Sequence, residues 1–341
     1  MTPKIAIVGA TGAVGRRMID EFAKSRLSSF PLGLFASPRS AGLTINFGKA
    51  TKPVEVFSLE ALKPYSHILM SAGGSFSKEF SPQLVKQGAV VIDNSSAWRM
   101  DAATALCVPE VNGQVAISSQ PRVIANPNCS TIQLVMALHP LRQAFGLKKV
   151  IVASYQSVSG TGQKGIEELD AQISALNGLK ASEAWSKAKA SIYAKPISCN
   201  VLPAIDRLDS QGHCFEEEKV VRETQKILEM PELDVFAHTA RVPTFFCHAE
   251  AVTVQLGRSV TLTELQGAFQ GQPGIHFTPG TDYESLPTSI EAFDDSRVFV
   301  SRARIKFGHQ TSDWAQFWNV SDNLRKGAAS NAVQILDKIL S

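Results

Sequence analysis

Short apolar runs alternate with amphipathic segments along the first third of the chain. The first run, residues 4–8, leads through a glycine-rich turn into a segment whose apolar residues recur at helical spacing, Met18, Ile19 and Phe22. Similar apolar runs follow at residues 32–36, 68–72, 90–93 and 123–125. Continuous apolar strands that alternate with helices are typical of a parallel sheet covered on both faces. The pattern predicts an α/β protein with a Rossmann-type, doubly wound parallel sheet.

The chain is too long for one core of this kind. It has 341 residues, of which 44% are hydrophobic and 19% charged, whereas single cores stop growing near ~250–300 residues. A strand-like run at residues 148–153 opens a second, α+β domain, for which we expect a mixed sheet with helices on one side. A last periodic segment with Val333, Ile335 and Leu336 predicts a C-terminal helix capped by Ser321 or Asp322.

Charge and cysteine usage exclude several classes of protein. The formal net charge of +3 is too small to indicate nucleic acid or a membrane surface as a partner. The five cysteines have no regular spacing, which favours reduced thiols, and no CxxC pair or close His/Cys cluster indicates a metal. With neither a signal-peptide pattern nor an apolar stretch of membrane-spanning length, we expect a cytoplasmic protein.

The most reactive pattern is Asn-Pro-Asn-Cys-Ser-Thr at residues 126–131. An apolar-periodic segment follows it and stops at His139-Pro140. A helix that begins at or just after Cys129, capped by Asn128 or Ser130, would stabilise a thiolate through its unpaired N–H groups and its dipole. The pattern has the profile of a nucleophilic thiol, and a buried structural cysteine is an alternative that this segment alone leaves open.

Three loops at predicted strand ends indicate a nucleotide and an anion. Residues 9–15 form G-x-x-G-x-x-G between a strand and a helix, which suits a pyrophosphate, although a tight turn without a ligand has the same pattern. The next strand ends in Ser37, Arg39 and Ser40 without an acidic residue, which favours NADP over NAD unless the loop is only a solvated turn. Arg99 follows a later strand and is a candidate anion clamp, or else a surface arginine.

These motifs resemble the aspartate-semialdehyde dehydrogenase family. The matching segments occur in order along essentially the whole chain, at residues 9–15, 95–99, 108–112, 126–131, 155–160, 200–203, 216–219, 241–243 and 322–329. The resemblance implies NADPH-dependent reductive dephosphorylation of L-aspartyl 4-phosphate to the semialdehyde, reversible with inorganic phosphate, in lysine, methionine and threonine biosynthesis. It also implies a homodimer or tetramer.

The resemblance assigns roles residue by residue. Cys129 would form a thioester, His248 would be its acid–base partner, and Gln156 would position the reacting carbonyl. The substrate-binding residues would be Arg99, Asn128, Gln156, Glu216, Lys219 and Arg241, with Arg99 and Lys219 on the phosphate, Arg241 on the α-carboxylate and Glu216 on the ammonium. The cofactor-binding residues would be Gly9, Thr11, Gly12, Ala13, Val14, Ser37, Arg39, Ser40, Ser159, Gly160 and Asn323. The implied domains are 1–127 for NADP, completed by a helix at 322–341, and 128–321 for catalysis and dimerisation.

Two alternatives to this function stay open. An N-acetyl-glutamyl-phosphate reductase shares the thiol chemistry and the cofactor, but its uncharged amide has no use for Glu216. A catalytically silent paralogue acting as a dimeric interaction module would be expected to lose Cys129 or His248. The chain also departs from the family's usual Gly-His-Ser, because Cys247 and Ala249 flank His248.

Overall fold

The chain forms two compact units, each with its own sheet. The computed structural model describes residues 2–117, 120–180, 182–183 and 187–341. Unit 1 comprises Met1–Ile132, Lys226–Glu229 and Leu324–Ser341, and unit 2 comprises Gln133–Gln225 and Met230–Asn323. The domain limits at 127/128 and 321/322 that the sequence suggests stay a prediction.

Unit 1 contains an eight-stranded sheet with the strand order β3-β4-β2-β1-β5-β6-β8-β7. All neighbouring pairs are parallel except β3 and β4. The strands are β1 Ile5–Val8, β2 Leu32–Ala36, β3 Thr44–Phe47, β4 Ala50–Val56, β5 His67–Met70, β6 Val90–Asp93, β7 Ala105–Leu106 and β8 Val123–Ala125. The prediction of a doubly wound parallel sheet is confirmed.

Both faces of this sheet are covered, which is why its strands are continuously apolar. The helices of unit 1 are α1 Ala13–Lys24, α2 Leu59–Leu62, α3 Gly74–Lys86, α4 Pro109–Asn112 and, at the C-terminus, α10 Ser330–Ile339. Ile5 and Ile7 of β1 belong to one core cluster, together with buried residues of α1 and α10. Ala6 and Val8 belong to the cluster on the opposite face, together with buried residues of α2 and α3.

The C-terminal helix begins later than the sequence predicts. A five-residue π-helical turn, Arg325–Ala329, precedes α10. The N-cap position of this turn is Leu324, not Ser321 or Asp322. The carboxylate of Asp322 accepts a hydrogen bond from the backbone N–H of Asp294. Periodicity located the buried face of this segment but could not distinguish a π turn from the first turn of an α-helix.

Unit 2 contains a mixed six-stranded sheet with the strand order β10-β9-β11-β14-β13-β12. Its strands are β9 Leu147–Gln156, β10 Asp234–Arg241, β11 His248–Thr261, β12 Ile275–Thr278, β13 Val298–Ile305 and β14 Thr311–Ser321. The pairs β9–β10 and β12–β13 are parallel, and the others are antiparallel. The prediction of a mixed sheet in the second domain is confirmed.

Side chains alternate between the two faces of this sheet. In β9, Val150 and Val152 are buried, whereas Ile151 and Tyr155 are exposed. Phe236 of β10 pairs with Ile151 and is exposed on the same face. Further α-helices in the described part of the chain are α6 Gln163–Ala175, α7 Phe215–Ile227, α8 Leu262–Phe269 and α9 Ser289–Ala292.

One helix, α5 Cys129–Phe145, continues beyond the predicted stop at His139 and contains Pro140. A proline inside a helix removes one hydrogen bond and costs ~3 kcal/mol or more. Leu138 and Leu141 beside it are fully buried, and each such side chain contributes about 1.5–3 kcal/mol. Burial therefore offsets the local cost.

Among the described residues, none of the helices combines the length and hydrophobicity that crossing a bilayer requires.

Candidate active site

Cys129 is the first residue of α5, as the sequence predicts, and it is half-buried. Asn128, rather than Ser130, caps the helix: its Oδ1 accepts hydrogen bonds from the backbone N–H groups of Ser130 at 3.0 Å and Thr131 at 3.3 Å. The thiol therefore lies at a helix N-terminus whose dipole favours negative charge.

A feature that sequence reasoning did not assign lies directly against this cysteine. A Cβ atom on Gly327 would be 2.9 Å from the Cβ of Cys129, so the π-helical turn approaches the nucleophile as only glycine allows. Lys326 beside it is fully buried, and its Nζ donates to both carboxylate oxygens of Glu110, at 2.8 and 2.7 Å. The only sequence signal was the conspicuous motif at residues 322–329, in which glycine follows two cations.

Arg99 is held by backbone carbonyl groups of unit 1. Its Nε donates to the carbonyl oxygen of Asn126 at 2.9 Å, and its Nη2 donates to that of Asn94 at 3.0 Å. The side chain of Asn126 in turn donates to the carbonyl oxygen of Ala328 in the π-helical turn. The guanidinium is therefore pre-oriented near the segment that carries Cys129, as an anion clamp requires.

The glycine-rich turn after β1 has the geometry that a dinucleotide needs. Gly9 has φ +82°, and a Cβ there would lie 2.1 Å from the carbonyl oxygen of Ser71. The helix that follows has no side-chain cap, so its first N–H groups stay available for a phosphate. Thr11 and Ser40 come from neighbouring strand ends, and their hydroxyl oxygens are 3.3 Å apart. The predicted cofactor residues of unit 1 thus lie at adjacent carboxyl ends of β1 and β2.

In unit 2, three strand ends bring predicted site residues side by side. Gln156 ends β9 and pairs with both Arg241 at the end of β10 and His248 at the start of β11. The Gln156 amide donates to Oε1 of Glu216 at 3.1 Å. This arrangement places a cation, an amide, an imidazole and a carboxylate in one polar cluster.

Lys219 completes that cluster through ion pairs. Its Nζ lies 3.0 Å from Oε2 of Glu216 and 2.9 Å from Oδ2 of Asp206. Burial alone would lower the pKa of Lys219, but the charges of Glu216 and Asp206 outweigh it and raise that pKa. Lys219 therefore stays cationic at neutral pH.

His248 is fully buried, and its two ring nitrogens have different surroundings. Nδ1 accepts a hydrogen bond from the backbone N–H of Ser157 at 3.1 Å, and the Ser157 hydroxyl is 3.2 Å away. Nε2 has no hydrogen-bond partner within the part of the chain that the structure describes. Burial, and secondly the charge of Arg241, lower the pKa of His248 to about 3, while Glu216 acts in the opposite direction.

The remaining predicted residues of unit 2 surround this histidine. Oδ1 of Asn323 accepts from the hydroxyls of Ser159 at 3.0 Å and Ser157 at 3.3 Å. A Cβ on Gly160 would lie 3.2 Å from Nε2 of His248 and 2.7 Å from Nη1 of Arg241. Nη1 of Arg241 also donates to the Ser157 carbonyl oxygen at 2.8 Å. Ser157, which had no assigned role, contacts both functional side chains.

Glu250 is a further buried titratable group on β11. It lies two residues after His248, pairs with Asn319 and is fully buried. Burial raises its pKa to about 8, although the amides of Asn319 and Gln133 oppose this. Its carboxyl group is therefore neutral at pH 7.

The predicted site residues thus fall into two groups. Unit 1 brings together Cys129, Asn128, Arg99 and the nucleotide loops; unit 2 brings together Gln156, Glu216, Lys219, Arg241, His248, Ser159, Gly160 and Asn323. No cluster of three His, Cys, Asp or Glu side chains that could hold a metal ion occurs among the described residues.

Comparison with known proteins identifies the family of the chain. Residues 4–119 match the model of the semialdehyde dehydrogenase NAD binding domain, and residues 138–326 match that of the semialdehyde dehydrogenase dimerisation domain. The aspartate-semialdehyde dehydrogenase of Bacillus subtilis is 40% identical over 337 residues, which cover 98% of this chain and 96% of the relative. The chain belongs to the aspartate-semialdehyde dehydrogenase family. It is an oxidoreductase of that family, with a domain for NAD(P) and a dimerisation domain.

Two further family members agree along the whole length. The aspartate-semialdehyde dehydrogenase of Aquifex aeolicus is 39% identical over 339 residues, covering 99% of this chain and 98% of the relative. The crystal structure of aspartate semialdehyde dehydrogenase II from Vibrio cholerae, complexed with ASA, superposes with a TM-score of 0.91 at 37% identity, covering 100% of this chain and 98% of that one.

One departure from the pattern expected of aspartate-semialdehyde dehydrogenases has a backbone consequence. Cys247, where the resemblance led us to expect glycine, has φ +68°, a left-handed conformation that favours glycine. Its N–H donates to Oδ1 of Asn323, and its thiol contacts the carbonyl oxygen of Ser289. Burial raises the pKa of this thiol far above its usual range, so Cys247 is not a competing nucleophile.

Proposed function

We propose that the chain catalyses the NADPH-dependent reductive dephosphorylation of L-aspartyl 4-phosphate to L-aspartate 4-semialdehyde, with inorganic phosphate as co-substrate in the reverse direction. The observation that carries this proposal is that Arg241 and Glu216 both lie beside Gln156, Arg241 by strand pairing and Glu216 by a hydrogen bond. A free amino acid has both a carboxylate and an ammonium, and these two side chains offer the complementary charges. The reaction belongs to the biosynthesis of lysine, methionine and threonine.

Cys129 is the nucleophile in this proposal. Its position at a capped helix N-terminus supports a thiolate, which attacks the acyl carbon and forms a thioester as the C–O bond to phosphate breaks. Arg99 and Lys219 hold the phosphate group, and Arg241 and Glu216 hold the α-carboxylate and the ammonium. Gln156 orients the reacting carbonyl, and His248 is the acid–base partner of Cys129, with Nε2 as the nitrogen that exchanges the proton.

NADP(H) is the proposed cofactor, held by Gly9, Thr11, Gly12, Ala13 and Val14 at the pyrophosphate. When bound, NADPH supplies the hydride that reduces the acyl carbon. Ser37, Arg39 and Ser40 offer a cation and hydroxyls where an NAD enzyme would carry an acidic residue. Ser159, Gly160 and Asn323 are assigned to the nicotinamide half. A Michaelis constant for NADH tenfold below that for NADPH would contradict this choice.

The alternative substrate is an N-acetyl-glutamyl phosphate, whose nitrogen is uncharged. Glu216 is nearly buried, with a side-chain exposure of 6%, and is held by Gln156 and Lys219. Lys219 already neutralises this carboxylate, and the ammonium of a free amino acid adds a second cationic partner that an acetylated nitrogen does not supply. This favours the free amino acid, and assays with both acyl phosphates separate the two.

The deciding experiment is a spectrophotometric assay of the reverse reaction. Aspartate semialdehyde, phosphate and NADP should produce NADPH with the wild-type chain. Cys129→Ala should abolish turnover while NADPH still binds, and Cys199→Ala, which changes an exposed cysteine, is the matched control. Activity of Cys129→Ala within tenfold of wild type would refute the covalent route. Absence of NADPH with wild type, together with full thiol reactivity, would favour the silent paralogue.

We further propose a cytoplasmic homodimer formed through the exposed face of the unit 2 sheet. Ile151, Tyr155 and Phe236 share that face, and Tyr155 packs on Trp318 with ring centroids 5.6 Å apart. Exposed apolar side chains grouped on one face are typical of protein interfaces. Light scattering should report a dimer for wild type and a monomer for the double variant Ile151→Asp, Phe236→Asp. A double variant that stays dimeric would contradict this surface.

A further inference from the structure

Lys226, in the last turn of α7, directs its ammonium group at a loop of unit 1. A lysine at this place in a helix ordinarily serves the negative end of the helix dipole. The Nζ of Lys226 instead donates to the carbonyl oxygens of Arg99, Asp101 and Thr104, at 2.8, 2.8 and 3.0 Å. All four residues belong to unit 1. The half-buried cation is therefore bound to the segment that carries the proposed phosphate ligand.

The three contacts match the donors of an ammonium group. Lysine has three N–H donors and no acceptor, and the loop offers one carbonyl oxygen for each of them. Residues 99–104 lie outside the helices and strands, so the hydrogen bonds of regular structure do not satisfy their carbonyl groups. Arg99 and Thr104 are buried, and a buried carbonyl group without a donor is costly. Lys226 thus supplies donors that this loop requires.

Local hydrogen bonds give the loop its shape. Oδ1 of Asp101 accepts from the backbone N–H of Ala103 at 3.0 Å and from the hydroxyl of Thr104 at 2.9 Å. These bonds are internal to the loop, so they do not hold it to another part of the fold. Lys226 comes from 122–127 residues further along the chain. Its three contacts therefore fix the loop from outside.

The place of the loop determines the place of the Arg99 guanidinium. Nε and Nη2 of Arg99 donate to the carbonyl oxygens of Asn126 and Asn94, while its own carbonyl oxygen accepts from Lys226. The side chain reaches both acceptors only while its backbone stays in place. A loop that moved would lengthen these bonds and turn the planar guanidinium, whose fork must face an anion to bind it through two hydrogen bonds.

We propose that Lys226 is a positioning residue for the phosphate group: by holding the carbonyl oxygens of residues 99–104, it keeps the Arg99 guanidinium in the orientation that binds phosphate. This inference rests on the proposed function, in which Arg99 is a phosphate ligand. Lys226 does not contact the phosphate itself, because its donors are directed at the loop. Its effect should therefore be confined to phosphate and pass through Arg99.

Kinetics of Lys226→Met in the reverse reaction test this role. Methionine keeps an unbranched side chain but removes the three N–H donors. We expect the KM for inorganic phosphate to rise about tenfold, because a weakened hydrogen bond between charged groups changes affinity by at least roughly that factor. The KM for NADP and kcat at saturating phosphate should stay within about twofold of wild type.

A purely structural role would give the opposite result. It would lower kcat, because less of the chain is folded, and leave the KM for phosphate unchanged. The matched control is Lys86→Met, which changes an exposed lysine in the last turn of α3 and should keep the wild-type KM for phosphate. An unchanged KM for phosphate in Lys226→Met would overturn the proposal.

The double variant shows whether Lys226 acts through Arg99. Substitutions that disturb the same contact are not additive. In an Arg99→Met background, in which Lys219 still offers a cation to the phosphate, Lys226→Met should change the KM for phosphate by less than about twofold. An undiminished tenfold effect would mean that Lys226 acts on phosphate by another route, and it would refute the role proposed here.

Phosphate binding is also measurable without turnover. Inorganic phosphate should slow the alkylation of Cys129, followed by peptide mass spectrometry. The concentration that halves the rate should be about tenfold higher for Lys226→Met than for wild type and Lys86→Met. Equal concentrations would contradict the proposal.

Lys226→Arg is the second variant, used if Lys226→Met shows no cooperative urea transition. Its flat guanidinium keeps the charge but cannot direct donors at three carbonyl groups as an ammonium does, so the KM for phosphate should rise at least about threefold. A wild-type KM in this variant would overturn the proposal. A wild-type chain that produces no NADPH would refute the proposed function, whereas an active wild type whose KM for phosphate is insensitive to Lys226 would refute this inference alone.

Discussion

Gly327→Ala tests whether the π-helical turn supports the nucleophile. A Cβ added at this position would lie 2.9 Å from Cβ, 3.3 Å from Cα and 3.5 Å from the carbonyl oxygen of Cys129. Carbon atoms pack best at about 3.5–4.0 Å. Two of these three atoms belong to the backbone, so a side-chain rotation cannot relieve the clash, and Cys129 must move by a few tenths of an ångström or more.

The expected magnitudes follow from that clash. Overpacking costs about 1–3 kcal/mol, and the reduced entropy of the unfolded chain returns about 0.4–1 kcal/mol, so we expect a net destabilisation of about 1 kcal/mol. Misplacing a reacting group by about 1 Å can cost about 10²-fold in rate. We therefore expect kcat to fall by about 10–100-fold.

The assay combines the reverse reaction with urea unfolding and the rate of thiol alkylation. Gly113→Ala is the matched control, because its Cβ would meet side-chain atoms of Lys338 and Pro109 at 3.6–3.9 Å, which is ordinary packing distance, and its φ of −54° suits any residue. The control should keep its activity. A Gly327→Ala variant with wild-type kcat and equal or greater stability would show that the turn does not restrain Cys129.

Three other substitutions test the buried features of the two units. Cys247→Gly should be more stable than Cys247→Ala by about 1 kcal/mol in urea unfolding, the reverse of the usual order, because only glycine adopts its positive φ without strain; a more stable alanine variant would contradict this. Glu250 has a folded pKa of about 8, raised above its unfolded value of 4.5, so its stability contribution is full below pH 4.5 and is lost as pH rises toward 8. The free energy of unfolding of Glu250→Gln should therefore exceed that of wild type by about 3 kcal/mol at pH 7 and differ little from it at pH 4, as urea unfolding at the two pH values would show. A difference that does not depend on pH would refute the raised pKa. Glu110→Gln leaves the fully buried Lys326 without its counter-charge, so the free energy of unfolding should fall by roughly 3 kcal/mol in thermal or urea unfolding. The control Glu60→Gln breaks an exposed ion pair with Lys63 and should lower it by at most about 0.5 kcal/mol. Equal effects of the two substitutions would contradict the burial argument.

Local patterns predicted much of the architecture and of the candidate site. The glycine spacing at residues 9–15 and the cap at Asn128 depend on neighbours within a few positions, so the sequence carries them directly. Continuous apolar runs likewise indicated the parallel sheet before its strand order was known. These features need no knowledge of which distant segments pair.

Contacts that depend on non-local pairing could not be predicted. The Ser157 N–H reaches His248 only because β9 and β11 pair with Gln156 opposite His248, and no local pattern fixes that register. The helix beyond Pro140 persists because distant residues bury its leucines. The left-handed Cys247 contradicts local preference altogether, because cysteine rarely adopts a positive φ.

The two peptide groups of Ser157 have a consequence for attempts to redesign this enzyme. One backbone residue orients both the imidazole of His248 and the guanidinium of Arg241. A set of substitutions that moves Arg241 to suit a longer or shorter substrate would therefore also rotate the His248 ring. Better binding of the new substrate would then come with a lower kcat. Glu216 projects from the separate helix α7, so a substitution there alters the contact with the ammonium without displacing the Ser157 peptide groups.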